Sequence, residues 1–167
     1  MTIGDVFSVV AGILGTFLTW WAAVVAAGLL FPNPTERARR ALEEPKRTTG
    51  FGFVLALTLG LLSVGMSASP LPVIKGLGMI LLFWLLALAI LGTAGVAALV
   101  GRRIQDLDPS LAAYPASVRG AAFVVGGTLL PFLGWFAFAP FLLAASLGAG
   151  WKAVVPAPRR RAISEVA

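Results

Sequence analysis

Histidine and cysteine are both absent, and the charged side chains amount to 13 Lys and Arg against 7 Asp and Glu in 167 residues. Without cysteine there is no disulfide, no thiolate nucleophile and no thiolate-held cluster; without histidine there is no imidazole ligand for zinc, haem or a chlorophyll-type pigment. No metal or cofactor is expected to be ligated by this chain. Met66 and Met79 could offer soft sulfur ligands, but as lone thioethers in apolar runs they read as packing or lipid-facing residues. At 12% charged and 59% hydrophobic residues, with a mean hydropathy of +0.94, no length of chain is left over for a separate soluble domain. The formal charge of +6 fits loops lying against anionic lipid better than nucleic acid, which is not expected as a partner.

What is present is apolar sequence in long runs. Residues 6–35, 48–74, 76–101 and 120–151 contain no charged side chain and count 30, 27, 26 and 32 residues. A helix rises about 1.5 Å per residue, so about 20 apolar residues cross a hydrocarbon core of roughly 30 Å. The sequence therefore predicts an all-α integral membrane bundle: a single transmembrane domain over 1–155, then a basic tail over 156–167. The opening MTIGD has no basic residue, and the run behind it is about twice the length of a signal-peptide core, so the first run reads as a retained helix.

Basic residues orient such a bundle, because Lys and Arg flanking the spans stay on the cytoplasmic side. Arg37, Arg39, Arg40, Lys46 and Arg47 follow the first span, and Arg102, Arg103 and Arg119 follow the third. Both connections are expected inside and the N-terminus outside. The fourth run is too long for one straight crossing, and Pro131, Gly134 and Pro140 interrupt it. Read as a hairpin turning at Pro131 and Gly134, it leaves 12 of 13 basic residues inside; read as a single Pro-broken crossing, 8 of 13. The hairpin is favoured, with a kink at Pro140 in its second arm. The expected architecture is three full spans plus this hairpin or broken fourth segment, with short amphipathic helices on the cytoplasmic face.

One of those helices is expected to start at Asn33 as cap and Pro34 as first residue and to end before Pro45. Ala38, Ala41 and Leu42 then form an apolar stripe lying on the membrane surface, and Glu36 faces Arg40. Asp108 and Pro109 open another short helical turn, closed by Pro115. Arg37, Arg39, Arg40, Lys46, Arg47, Arg102 and Arg103, with Arg159, Arg160 and Arg161 of the tail, are the candidates to meet lipid headgroups.

Small residues recur in the first span at Ser8, Gly12, Gly15, Thr19, Ala22 and Ala26, in alternating steps of four and three. Gly92 and Gly95, with Thr93 and Ala97, give the third span a shorter version. Helices in lipid associate at such seams because close backbone approach replaces the missing hydrophobic drive. Packing inside the bundle is the favoured use of both seams, contact with another subunit the alternative. Trp20, Trp21, Trp84 and Trp135 are candidates to touch lipid or a pigment held by a partner. Serine hydroxyls at 8, 63, 117 and 146 have no base nearby in sequence and are expected to bond back to helix carbonyls.

The order Phe31-Pro32, RRALEEP over 39–45, Ile74-Lys75-Gly76-Leu77-Gly78, Ala97 to Arg103 and Leu130 to Trp135 resembles a bacterial polytopic membrane domain found alone or attached to bactofilin-like polymer-forming proteins. The resemblance implies a layout but no activity and no site residues. The expected function is that of a non-catalytic accessory or scaffold subunit in a larger bacterial inner-membrane complex, respiratory or photosynthetic, with other integral subunits and anionic lipids as partners. No enzyme activity is expected, for want of a nucleophile with a base or a metal set. The alternatives are a small channel or transporter built on the broken fourth segment, and a lipid-binding membrane organiser.

Overall fold

A computed structural model describes residues 3–155, and every regular element among them is helical. The tail 156–167, with Arg159, Arg160 and Arg161, lies outside the described residues. In chain order the elements are α1 (Ile3–Leu30), α2 (Pro32–Ala41), α3 (Pro45–Ser67), α4 (Pro72–Leu107), α5 (Ala113–Gly127), the single turn α6 (Pro131–Leu133), a π-helical turn (Gly134–Phe138) and α7 (Ala139–Val154). Four stretches are long and apolar enough to cross a bilayer: α1, α3, α4 and Gly134–Val154. The protein is an all-α membrane bundle.

Proline sets the joints. Pro32, Pro45, Pro72, Pro131 and Pro140 each occupy the first or second position of a helix. At the first four, which open free helix ends, the missing N–H is one that would have had no partner in any case. Two expected boundaries shift for this reason. α2 starts at Pro32 instead of Pro34, its cap is Phe31 instead of Asn33, and no side chain caps it. Pro115 sits inside the first turn of α5, where it opens a helix instead of closing one. Before it, Asp108 organises the turn: its carboxylate accepts from the Ser110 amide at 3.2 Å and the Ser110 hydroxyl at 2.5 Å. Those bonds to Ser110 hold the Asp108 carboxyl below its ordinary range.

The fourth apolar run is two helices joined by a reversal. α5 stops at Gly127, and Gly134 comes back so close that a Cβ on it would lie 2.7 Å from the Gly127 carbonyl oxygen and 2.8 Å from that of Thr128. Just upstream of Pro140, where a kink is expected, the helix changes its hydrogen-bond register. Pro140 has no N–H to offer, and the five residues before α7 adopt π geometry, with the Ala139 amide donating to the Gly134 carbonyl. One wide turn shifts the hydrogen-bond ladder before proline interrupts it.

α4 is the axis on which the others pack. Gly92 meets the backbone of Ser146, and Gly150 that of Leu88; Gly52 and Gly148 bring α3 and α7 together, Gly101 and Gly120 do so for α4 and α5. At these points the neighbouring backbone occupies the space a side chain would need. Apolar contact is correspondingly built from small residues: Val24, Ala27, Ala94, Ala97, Ala121 and Val125 form one cluster between α1, α4 and α5. A second joins Ala38 and Leu42 of α2 to Ala145, Ala149 and Ala153 of α7. The stripe on α2 therefore faces protein instead of the membrane surface.

Candidate functional site

Two regions carry features beyond packing: the outward face of α1 and the charged end of the bundle.

α1 is the least embedded span. Only 6% of its most apolar stretch is buried within the chain, against 50% for Gly134–Val154. Val24 and Ala27 of the C-terminal half of α1 enter the core, with Phe17, Trp20, Trp21 and Val25 packed beside them. Ser8, Gly12, Gly15, Thr19, Ala22 and Ala26 are all exposed, and a Cβ on Gly12 or Gly15 would meet nothing within 4 Å. Packing of this seam inside the bundle, the favoured expectation, is thus corrected. The inward face of α1 uses the positions between, and the small-residue face looks away. Its hydroxyls are satisfied locally, Ser8 donating to Gly4 at 3.0 Å and Thr19 to Gly15 at 2.8 Å. No polar group therefore opposes approach by another helix. In α4 the corresponding seam is occupied: Gly92 lies on Ser146, and a Cβ on Gly95 would fall 2.6 Å from that of Ala38.

At the other region, the α1–α2–α3 connection, the end of α4 and the start of α5 converge. The Arg39 guanidinium is buried and forks onto Glu36, Nε to Oε2 at 2.8 Å and Nη2 to Oε1 at 2.7 Å, with Nη1 reaching Glu43 at 3.2 Å. Arg39 is only 8% exposed, so it is not a headgroup contact as expected; two acidic residues one turn either side neutralise it instead. Arg40 and Arg102 also reach Glu36, each at 3.3 Å. Hydrogen bonding from Arg39, foremost, and from Arg40 lowers the Glu36 carboxyl to about 2. Arg37, Lys46, Arg47, Arg102 and Arg103 are exposed on this end. Lys152 Nζ donates to the Thr48 hydroxyl at 2.9 Å, and Thr48 donates to the Ala41 carbonyl, tying α7, α3 and α2 together. The basic connections thus lie at one end, and the Ser67-to-Pro72 turn beside Lys75 at the other.

The tryptophans divide. Trp21 donates to the Val118 carbonyl at 3.3 Å and packs with Trp20 on the α1–α4–α5 cluster. Trp84 stacks edge-on against Trp151 with ring centroids 5.5 Å apart. Trp135 is fully turned out, at 71% exposure. Of the serines, Ser8, Ser63 and Ser117 bond back to their own helices, whereas Ser146 pairs with Thr93 across the α4–α7 contact at 3.0 Å. Among the described residues no three carboxylates gather at metal-binding distance. The arrangement offers surfaces and a charged cap instead of a reacting centre.

No family model, no curated protein and no solved structure matches the chain.

Proposed function

We propose that the protein is a non-catalytic scaffold subunit of a larger bacterial membrane assembly, joined to another integral subunit through α1. The observation that carries this reading is the free seam: six small residues in register on one face of a spanning helix, none covered by the chain's own helices. Left to lipid, those glycines gain nothing for their cost in helix propensity; against a second helix they permit close backbone approach. In this reading the N-terminus is outside and the basic end cytoplasmic, which the collection of the arginine-rich connections at that end supports.

The test is purification of the full chain in mild detergent beside a Gly12→Leu/Gly15→Leu variant. Both proteins should show the same helix content and melting. The wild type should carry a stoichiometric membrane partner whose spanning helix crosslinks to the 8–26 face, and the variant should lose it. An unchanged complex in the variant, or ion or substrate flux by the pure protein in liposomes, would overturn the reading.

A further inference from the structure

A cleft of about 200 Å³ opens between α1, α4 and α5 at the charged end, away from the seam on α1. Its deep wall is apolar and smooth, made by Val24 and Gly28 of α1, Ala94 and Ala97 of α4 and Ala121 of α5. Its mouth is polar: Thr35, Glu36, Tyr114 and Ser117 line it. Thr35 is 6% exposed and its hydroxyl has no hydrogen-bond partner, although a helical threonine readily bonds the carbonyl one turn back. A buried hydroxyl left unpaired beside an open cleft is a donor awaiting an acceptor.

From this juxtaposition of an apolar slot, an unpaired Thr35 hydroxyl and a lining carboxylate, Glu36, that holds Arg40 and Arg102 beside the mouth, we infer that the cleft binds one anionic phospholipid from the surrounding bilayer. The chemistry fits part by part. A stretch of acyl chain lies along Gly28, Ala94 and Ala97, where the missing side chains leave room. The glycerol-ester carbonyl accepts from Thr35. The phosphate meets the exposed guanidinium groups of Arg40 and Arg102, which Glu36 holds at the rim. Glu36 and Glu43 do not repel it, since three arginines (39, 40 and 102) against two carboxylates leave the cluster positive. A headgroup without net charge would gain less, and a free phosphate would leave the slot empty.

Native mass spectrometry of the full chain, delipidated and then titrated with phosphatidylglycerol or phosphatidylcholine, tests this. One phosphatidylglycerol should bind with saturation, at least tenfold more tightly than phosphatidylcholine. Gly28 has nothing within 4 Å of a would-be Cβ, so Gly28→Leu fills the slot without striking backbone. It should abolish the saturable adduct while the melting temperature without lipid stays put. Thr35→Val keeps the shape and removes the donor, and should weaken binding about fivefold, the equivalent of one hydrogen bond of about 1 kcal/mol. Equal affinity for the two lipids, a non-saturating ladder of adducts, or full binding by Gly28→Leu would each sink the site. Glycerol phosphate at millimolar concentration should not displace the lipid; if it does, the acyl slot has no part in recognition.

Discussion

The Thr93 and Ser146 hydroxyls lie 3.0 Å apart in the buried contact between α4 and α7, and Thr93 also donates to its own helix at Ala89, 2.7 Å away. One proton on Thr93 serves the Ala89 carbonyl, so Ser146 supplies the proton between the two helices. The pair is the only side-chain hydrogen bond between buried residues of different spans among those described.

Thr93→Val and Ser146→Ala, singly and together, should therefore show coupling. Interhelical hydrogen bonds in membranes average about 0.6 kcal/mol and reach about 1.7. A double-mutant cycle on unfolding in bicelles should return a value in that range; no coupling would mean that the two hydroxyls do not meet.

Gly92 and Gly15 should respond in opposite ways to the same change. Gly92→Val drives a side chain into the Ser146 backbone and should cost 1–3 kcal/mol or more, as overpacking does. Gly15→Val meets open space, so the isolated protein should unfold at or slightly above the wild-type midpoint. Thermal unfolding in detergent of both variants decides it, and equal losses would place α1 inside the bundle.

Arg39 and Arg40 differ in burial and should differ in consequence. Arg39→Ala leaves Glu36 without its forked partner and removes a packed stem, and should destabilise by about 2 kcal/mol. Arg39→Lys should recover little, because a point charge cannot make the fork. Arg40→Ala, at an exposed pair, should stay within about 0.5 kcal/mol of wild type. Chemical denaturation of the three variants gives the ranking.

Acid should loosen the charged end. The Glu36 carboxyl titrates at about 2 in the folded protein, against 4.5 unperturbed. Because the folded state holds the deprotonated form more tightly, its contribution is complete above about pH 4.5 and drains away as pH falls toward 2. Melting temperature measured between pH 6 and 2 should drop more in the wild type than in Glu36→Gln. Parallel curves would remove Glu36 from the account.

The spans were legible because lipid imposes them: a run of about 20 residues without charge has few other uses in a protein. Pro131, Gly134 and Pro140 announced an interruption, but not its form, since a π turn depends on where the ladder can be re-registered before Pro140. The small-residue seams were visible in both α1 and α4, with opposite outcomes. The pattern states how close a neighbour can come, not whether the neighbour belongs to the same chain. The i,i+4 spacing pairs Arg39 with Glu43, yet a pairing of that kind is equally at home on an exposed face and does not by itself place the guanidinium inside. Glu36, three residues before Arg39, adds to it: on a helix the two carboxylates close around one side chain. The cleft at Thr35 left no trace in sequence, because it depends on the absence of side chains on three separate helices.

Charged groups cluster at the bundle's ends, and the interiors of its spans hold none. A transmembrane potential exerts about 2.3 kcal/mol per elementary charge per 100 mV, but only on charge displaced through the field. A rearrangement of these helices within the hydrocarbon would therefore carry no ionised side chain of the span interiors through that field.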